Sequence, residues 1–254
     1  MPGLLHTEEG TTTRLYAAIA AEFVCSFLFA FIGGAAPGSS AAAANGIALA
    51  VLVYVAANVS GGHLNPAVTV ATLVTGHTSV ARGLAYIVAQ TAGCVLAAGM
   101  HILLIPKAHD VGCFAPNGIS LGQAFGWEAI MTFLLVVTIY SVAVGQPDFG
   151  VMGPLAIGLA VWAAALTGGG FTGAALNPAR FLGPAIVFGC GWGAAPAYIF
   201  AELLGGVAGA VISWPLYGTG LQFGRWADAA EDALADARQA LRGGYERVTG
   251  ETHA

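Results

Sequence analysis

Polar side chains are rare along six long stretches of this 254-residue chain, near 14–35, 42–60, 81–105, 122–145, 150–170 and 194–218. Each stretch is about the 20 residues an α-helix needs to cross a bilayer. Two further apolar segments are much shorter. Each opens on the same tripeptide, Asn65-Pro66-Ala67 and Asn177-Pro178-Ala179, at positions 112 residues apart. Proline suits the first turn of a helix, where its missing N–H is not needed, and asparagine suits the cap before it. The pattern therefore predicts six spanning helices and two half-helices too short to span.

The similarity extends past the tripeptides. Ala85-Tyr86-Ile87-Val88-Ala89-Gln90 returns as Ala197-Tyr198-Ile199-Phe200-Ala201-Glu202 at the same offset of 112. Glu22 with Phe27 in the first helix is matched by Glu128 with Phe133 in the fourth, at an offset of 106. A loop near the second or fifth span must then differ by six residues. Each half reads helix, helix, half-helix, helix. Three spans per half is an odd number, so the second half enters from the opposite side and the repeats are inverted. The expected fold class is an all-α membrane protein with six transmembrane helices and two re-entrant half-helices. The expected organisation is an N-terminal segment over 1–13, a channel domain over 14–218 with repeats near 14–105 and 121–218, and a tail over 219–254. Within the tail, 225–243 has the spacing of a short amphipathic helix.

Composition supports lipid as the main solvent. The chain is 57% hydrophobic and only 8% charged, against about 25% charged in an ordinary soluble domain. The net charge of −5 adds little. The placement of the basic residues adds more. With six spans, Arg14, Arg82 and four tail arginines share one side, Lys107 falls opposite, and Arg180 lies within the apolar body. Positive residues favour the cytoplasm, so both termini are expected there. Cys25 and Cys94 fall in spans. Cys113 and Cys190 fall in loops on the other side, where a disulfide is chemically allowed, but spacing alone cannot pair them and free thiols are expected.

The candidate chemistry is that of a pore. Irregular backbone at membrane depth persists only if buried in protein or lining a water-filled cavity. The stretches Gly61-Gly62-His63-Leu64 and Gly173-Ala174-Ala175-Leu176 are such backbone, so their carbonyls are candidate acceptors along a lumen. Asn65 and Asn177 add amide donors where two helix N-termini converge, each carrying about half a positive charge. Arg180 follows the second tripeptide. An arginine at depth costs roughly 2.5 kcal/mol or more, and such charges mark pathways. The other reading of Arg180 is an ion pair with Glu128 or Glu202. Glu22 and Glu128, which match across the repeat, are expected to accept hydrogen bonds from the re-entrant loops. Glu202 matches Gln90, which suggests an amide-like role. A proton relay through these acids is the alternative. His63 reads as a loop anchor. Gly46, Gly93, Gly158 and Gly205 read as close helix contacts. No phosphate loop, nucleophile elbow or metal-ligand spacing is present, so neither enzyme activity, a cofactor nor a nucleic-acid partner is expected.

With these residues the chain resembles the major intrinsic proteins, the aquaporin and glycerol-facilitator family. The resemblance rests on Ser60-Gly61-Gly62-His63-Leu64-Asn65-Pro66-Ala67-Val68 and Asn177-Pro178-Ala179-Arg180 and covers about 14–218. It implies an hourglass of six helices and two half-helices, assembled as a homotetramer with one pore per subunit. It also implies a four-residue constriction at Asn45, Ala165, Ala174 and Arg180. The family's strict water channels resemble Phe and His at the first two of these positions. The small residues here imply a wider filter, closer to vacuolar-type plant aquaporins. The resemblance thus implies passive passage of water and small neutral solutes such as hydrogen peroxide, ammonia, urea and glycerol, with exclusion of protons and ions. A glycerol-selective facilitator, a proton-coupled transporter and a closed-pore structural protein stay open as alternatives, as do the plasma membrane and a vacuole-type membrane.

Overall fold

The structure, a computed structural model, describes residues 12–106, 109–145 and 149–219. The expected helix at 225–243, the tail beyond 219, residues 1–11 and Lys107 lie outside the described residues. In chain order the helices are α1 (Thr12–Ala35), α2 (Ala41–Ala56), α3 (Pro66–Val74), α4 (Val80–Leu104), α5 (Leu121–Ile139), α6 (Gly153–Thr172), α7 (Pro178–Phe188) and α8 (Ala195–Tyr217). A π-turn over Tyr140–Val144 extends α5. Among the described residues, six helices are long and apolar enough to cross a membrane. The half-helices α3 and α7 have 9 and 11 residues.

The packing obeys the repeat. Helix α1 lies on α4 as α5 lies on α8, and α7 packs on α4 as α3 packs on α8. The two halves meet along α2 and α6. Glycine makes that crossing close. A Cβ on Gly46 would lie 2.7 Å from the Gly158 carbonyl oxygen, and one on Gly158 would run into the Gly46 carbonyl oxygen. Gly93 and Gly205 repeat the device against the carbonyls of Phe23 and Ala129. Helix association in lipid depends on such close van der Waals contact, because burial of apolar surface drives little there. Gly158→Leu is therefore expected to destabilise the fold by on the order of 1–3 kcal/mol or more. Gly99, which has nothing within 4 Å of an added Cβ, supplies the control. Equal thermal unfolding midpoints for Gly158→Leu and Gly99→Leu in detergent would contradict this account of the crossing.

The outer faces stay apolar. Leu84, Val88, Ile130 and Phe200 are exposed on the bundle surface, as lipid contact requires. The chain is an integral, multi-pass membrane protein.

Two sequence expectations need correction. The second apolar run continues to residue 60, yet α2 ends at Ala56. The chain turns there because Ser60 is captured: its hydroxyl donates to Glu22 Oε1 at 2.6 Å and its carbonyl accepts from the Tyr86 hydroxyl at 2.8 Å. The expected free thiols at Cys113 and Cys190 are also wrong. They form a disulfide across 77 residues of sequence, with Cα atoms 6.1 Å apart. The loop before α5 folds back over the entrance to α7, and the Asn117 backbone N–H donates to the Phe171 carbonyl at 2.8 Å. Only that fold-back brings the two cysteines together. Cys25 and Cys94 are buried free thiols, as their places in spans suggest.

Candidate functional site

Each half-helix begins where its sequence predicts. Asn65 and Asn177 cap α3 and α7 in extended conformation, with proline at the first helical position. The Asn65 side-chain oxygen accepts from Ala67 N–H, and that of Asn177 accepts from Ala179 and Arg180 N–H. Each amide nitrogen crosses to the other half. Asn65 Nδ2 donates to the Leu176 carbonyl at 2.7 Å, and Asn177 Nδ2 donates to the Leu64 carbonyl at 2.8 Å. An amide nitrogen carries two hydrogens, so each asparagine keeps one donor beyond this exchange.

The segments leading into the caps are bent alike. Gly61, Gly62 and Leu64 have positive φ, and so do their repeat-mates Gly173, Ala174 and Leu176. A left-handed residue other than glycine costs roughly 1–2 kcal/mol, and three of these six are not glycine. What offsets that cost is a buried carboxylate in each half. Glu22, fully buried, accepts from the Ser60 hydroxyl, from His63 N–H at 2.9 Å, from Leu64 N–H at 2.7 Å and from Gln90 Nε2 at 2.8 Å. Glu128 accepts from Ala175 N–H at 3.1 Å and Leu176 N–H at 2.9 Å. Tyr86 and Tyr198 tie the start of each segment by donating to the Ser60 and Thr172 carbonyls. His63 Nδ1 pairs with Thr69 Oγ1 at 3.1 Å, which makes it the anchor expected from sequence. Among the described residues no cluster of His, Cys, Asp or Glu could hold a metal ion.

The half-helices meet at a narrow cavity of about 20 Å³. Its lining includes Gly61, Gly62, His63, Asn65, Ala175, Asn177 and Arg180 from the two re-entrant segments. The rest of its wall is apolar, with Phe29, Leu49, Val53, Leu135, Ile157 and Val161 prominent. The expected file of carbonyl acceptors is only partly free. Leu64 is engaged by Asn177, and Ala174 and Ala175 are engaged by Arg180 Nη1 at 3.3 and 2.8 Å. Gly61, Gly62 and His63 of the first segment also line the cavity.

Arg180 is 5% exposed. Its hydrogen bonds run to these carbonyls, not to Glu128 or Glu202, so the ion-pair reading is not the geometry found. Phe29 and Phe114 present their rings to the guanidinium, with centroids 4.9 and 5.4 Å from its central carbon. Glu202 is fully buried and its oxygens make no hydrogen bond of good geometry, lying near the Asn177 backbone amide. Nothing in the structure explains why an acid stands where Gln90 stands in the other half.

Of the four residues expected at a constriction, Arg180 lines the cavity. Asn45, Ala165 and Ala174 are not among its lining residues. Asn45 turns its amide toward α1, donating to the Gly33 and Ala41 carbonyls at 3.3 and 2.8 Å. The repeat-mates of the four, at the offset of 112, are Ile157, Val53, Gly62 and Val68, and all of these line the cavity. Sequence reasoning missed Phe29. One signal was present: Phe29 follows Glu22 by seven residues, two helical turns, as Leu135 follows Glu128, and both line the cavity.

The sequence model of the family described as major intrinsic protein matches residues 9–213. The chain belongs to that family. Among curated major intrinsic proteins, a probable aquaporin TIP-type of Medicago truncatula is 39% identical over 80% of this chain and 88% of its own length. The probable aquaporin TIP3-2 of Arabidopsis thaliana is 37% identical over 83% and 87%. Aquaporin TIP1-1 of Zea mays is 39% identical over 76% and 83%. Among solved structures, the aquaglyceroporin from Plasmodium falciparum superposes with a TM-score of 0.69 at 23% identity, over 78% of this chain and 95% of that one. That likeness carries the fold, and the six long helices with two short ones are this family's architecture. Members of the family are channels and not enzymes.

Proposed function

We propose that the chain is a passive membrane channel for water and small neutral solutes, among them hydrogen peroxide, ammonia, urea and glycerol, and that it excludes protons and other ions. The observation carrying this reading is the pair of crossed asparagines. Two helix N-termini and two spare amide donors meet at one point of a cavity whose other walls are mostly apolar. A neutral solute that gives up its water there regains hydrogen bonds on one side only, so it passes without being trapped. A cation meets two dipole ends and a guanidinium, and is repelled. The aquaporin names of the relatives agree with this reading.

In this proposal the pore runs along Asn65, Pro66, Ala67, Asn177, Pro178 and Ala179. Asn45, Ala165, Ala174 and Arg180 form the selectivity filter, Gly61, Gly62 and His63 provide carbonyl acceptors, and Glu22 and Glu128 hold the loops. Both termini are cytoplasmic, and the channel domain is 14–218. The assembly is a homotetramer with a pore in each subunit, and the partners are lipid and solute with no cofactor.

The test is stopped-flow permeability of proteoliposomes to water and to neutral solutes of graded size. Water and glycerol should both pass. Asn45→Phe with Ala165→His should lower glycerol and urea flux at least about tenfold, the effect of roughly 1.4 kcal/mol, and water flux much less. Unchanged flux of all three would remove the filter assignment. Glycerol flux with negligible water flux would favour the glycerol-selective facilitator.

A further inference from the structure

The geometry points to Phe114, held in place by the Cys113–Cys190 disulfide, as a residue that sets which solutes pass Arg180. The inference rests on the channel reading above and deepens it. Ala165 and Ala174 are small and Asn45 turns its amide toward α1, so the width beside the guanidinium must be set by groups from elsewhere. Two rings bracket the guanidinium: Phe29 from α1 lines the cavity, and Phe114 from the loop before α5 lines an adjoining hollow with Arg180, so it acts on the lane by positioning the guanidinium. Phe29 sits on a helix and is fixed by it. Phe114 belongs to a stretch with no helix of its own between residues 111 and 119, yet the residue is only 8% exposed.

The surroundings of Phe114 are shaped to receive it. Its ring stacks on Phe181 of α7, centroid to centroid 6.0 Å. A Cβ on Gly173 would come within 2.8 Å of Phe114 Cδ1, and one on Gly191 within 2.7 Å of the Phe114 carbonyl oxygen. Both glycines have positive φ. One lies in the segment leading to Asn177 and the other in the turn after α7. The ring is thus seated against Gly173 and Phe181 with its backbone against Gly191, and the guanidinium lies beside it.

What keeps the wedge seated is short-range and partly covalent. Cys113 is its immediate neighbour, and its disulfide partner Cys190 sits next to Gly191. On the other side, Asn117 donates through its backbone N–H to Phe171 and through Nδ2 to the Gly170 carbonyl at 3.0 Å. Breaking the disulfide leaves the loop tied on one side only and returns conformational freedom to it. The ring can then leave the guanidinium. Arg180 loses one of its two aromatic contacts, and the guanidinium, freed on that side, can draw back and widen the lane it lines. A dithiol reductant performs this cleanly: the S–S bond breaks, two thiols form, and the reductant is oxidised to its cyclic disulfide.

The experiment measures the ratio of glycerol to water permeability in proteoliposomes of the full chain, before and after dithiothreitol, with thiol alkylation and mass measurement to verify reduction. Reduction should raise the ratio in the wild type at least about threefold, the scale of one cation–ring contact. Cys113→Ser with Cys190→Ser should show the raised ratio without reductant and no response to it, which also removes Cys25 and Cys94 as the cause. Phe114→Ala should show a raised ratio in the oxidised protein and no further rise on reduction. Reduction acts on protein already folded and inserted, so a double-serine variant that fails to fold leaves that arm decisive. An unchanged ratio in fully reduced wild type overturns the inference while water flux upholds the channel reading. A Phe114→Ala variant that still responds to reduction overturns it too. Absence of any flux from wild type removes the channel reading and this inference with it.

Discussion

Arg180→Ala is expected to make the lane leak protons and cations while water still passes. The guanidinium is buried, held by two carbonyls and flanked by two rings. Its charge is therefore fixed beside the cavity and poorly screened. For a cation about 8 Å away at an effective dielectric constant of about 20, removing that charge lowers the barrier by about 2 kcal/mol, roughly thirtyfold in passage. Arg180→Lys keeps the charge, though not the planar fork that reaches both carbonyls. It should stay nearly proton-tight and differ mainly in solute preference. The measurement is decay of an imposed pH gradient in proteoliposomes, alongside water permeability. If Arg180→Ala is as proton-tight as wild type while water flux persists, exclusion rests on the two helix N-termini and not on the arginine.

The second large effect is on stability. Glu22→Ala orphans three buried N–H donors, those of His63, Leu64 and one of the two on Gln90 Nε2, and leaves the Ser60 hydroxyl only a longer contact to the Ala56 carbonyl at 3.4 Å. Each buried donor left without a partner costs about 1–3 kcal/mol. Even at the low end the total is about 3 kcal/mol, a large part of the 5–15 kcal/mol that typically separates folded from unfolded protein. The first re-entrant segment should lose its left-handed turns, and folded yield should collapse. Glu128→Ala orphans two backbone donors and also loses the Thr172 hydroxyl beside it, so its loss should be the smaller of the two. Glu22→Gln puts an amide donor where one carboxylate oxygen accepts, and should fall between wild type and Glu22→Ala. Thermal unfolding midpoints in detergent rank the three. An order in which Glu128→Ala is the more damaging would refute the hydrogen-bond account of the loops.

Much of this architecture could be read from residue spacing because the chain states it twice. Tyr86 and Tyr198, Asn65 and Asn177, and Gly46 and Gly158 recur at an offset of 112, and Glu22 and Glu128 at 106. Each pair makes matching contacts. A buried acceptor, a capping amide or a glycine at a crossing has few chemical substitutes, so the residue type survives where the geometry does. The filter was less legible. Alanine at 165 and 174 says only that space is left there, and what fills it comes from other elements.

The sequence by itself determined the six apolar helices, the two proline-started half-helices, their inverted relation and the placement of Arg180 beside a lane. Those follow from hydrophobic run length and from the helix-cap chemistry of asparagine and proline, which are local properties. Only the tertiary structure decided that Asn45 turns toward α1, that Phe29 and Phe114 flank the guanidinium, that Arg180 occupies the carbonyls of its own loop, and that Cys113 and Cys190 are joined. Each depends on how far apart in space two distant segments come to rest. That distance is set by close packing of the helices, which no spacing along the chain encodes.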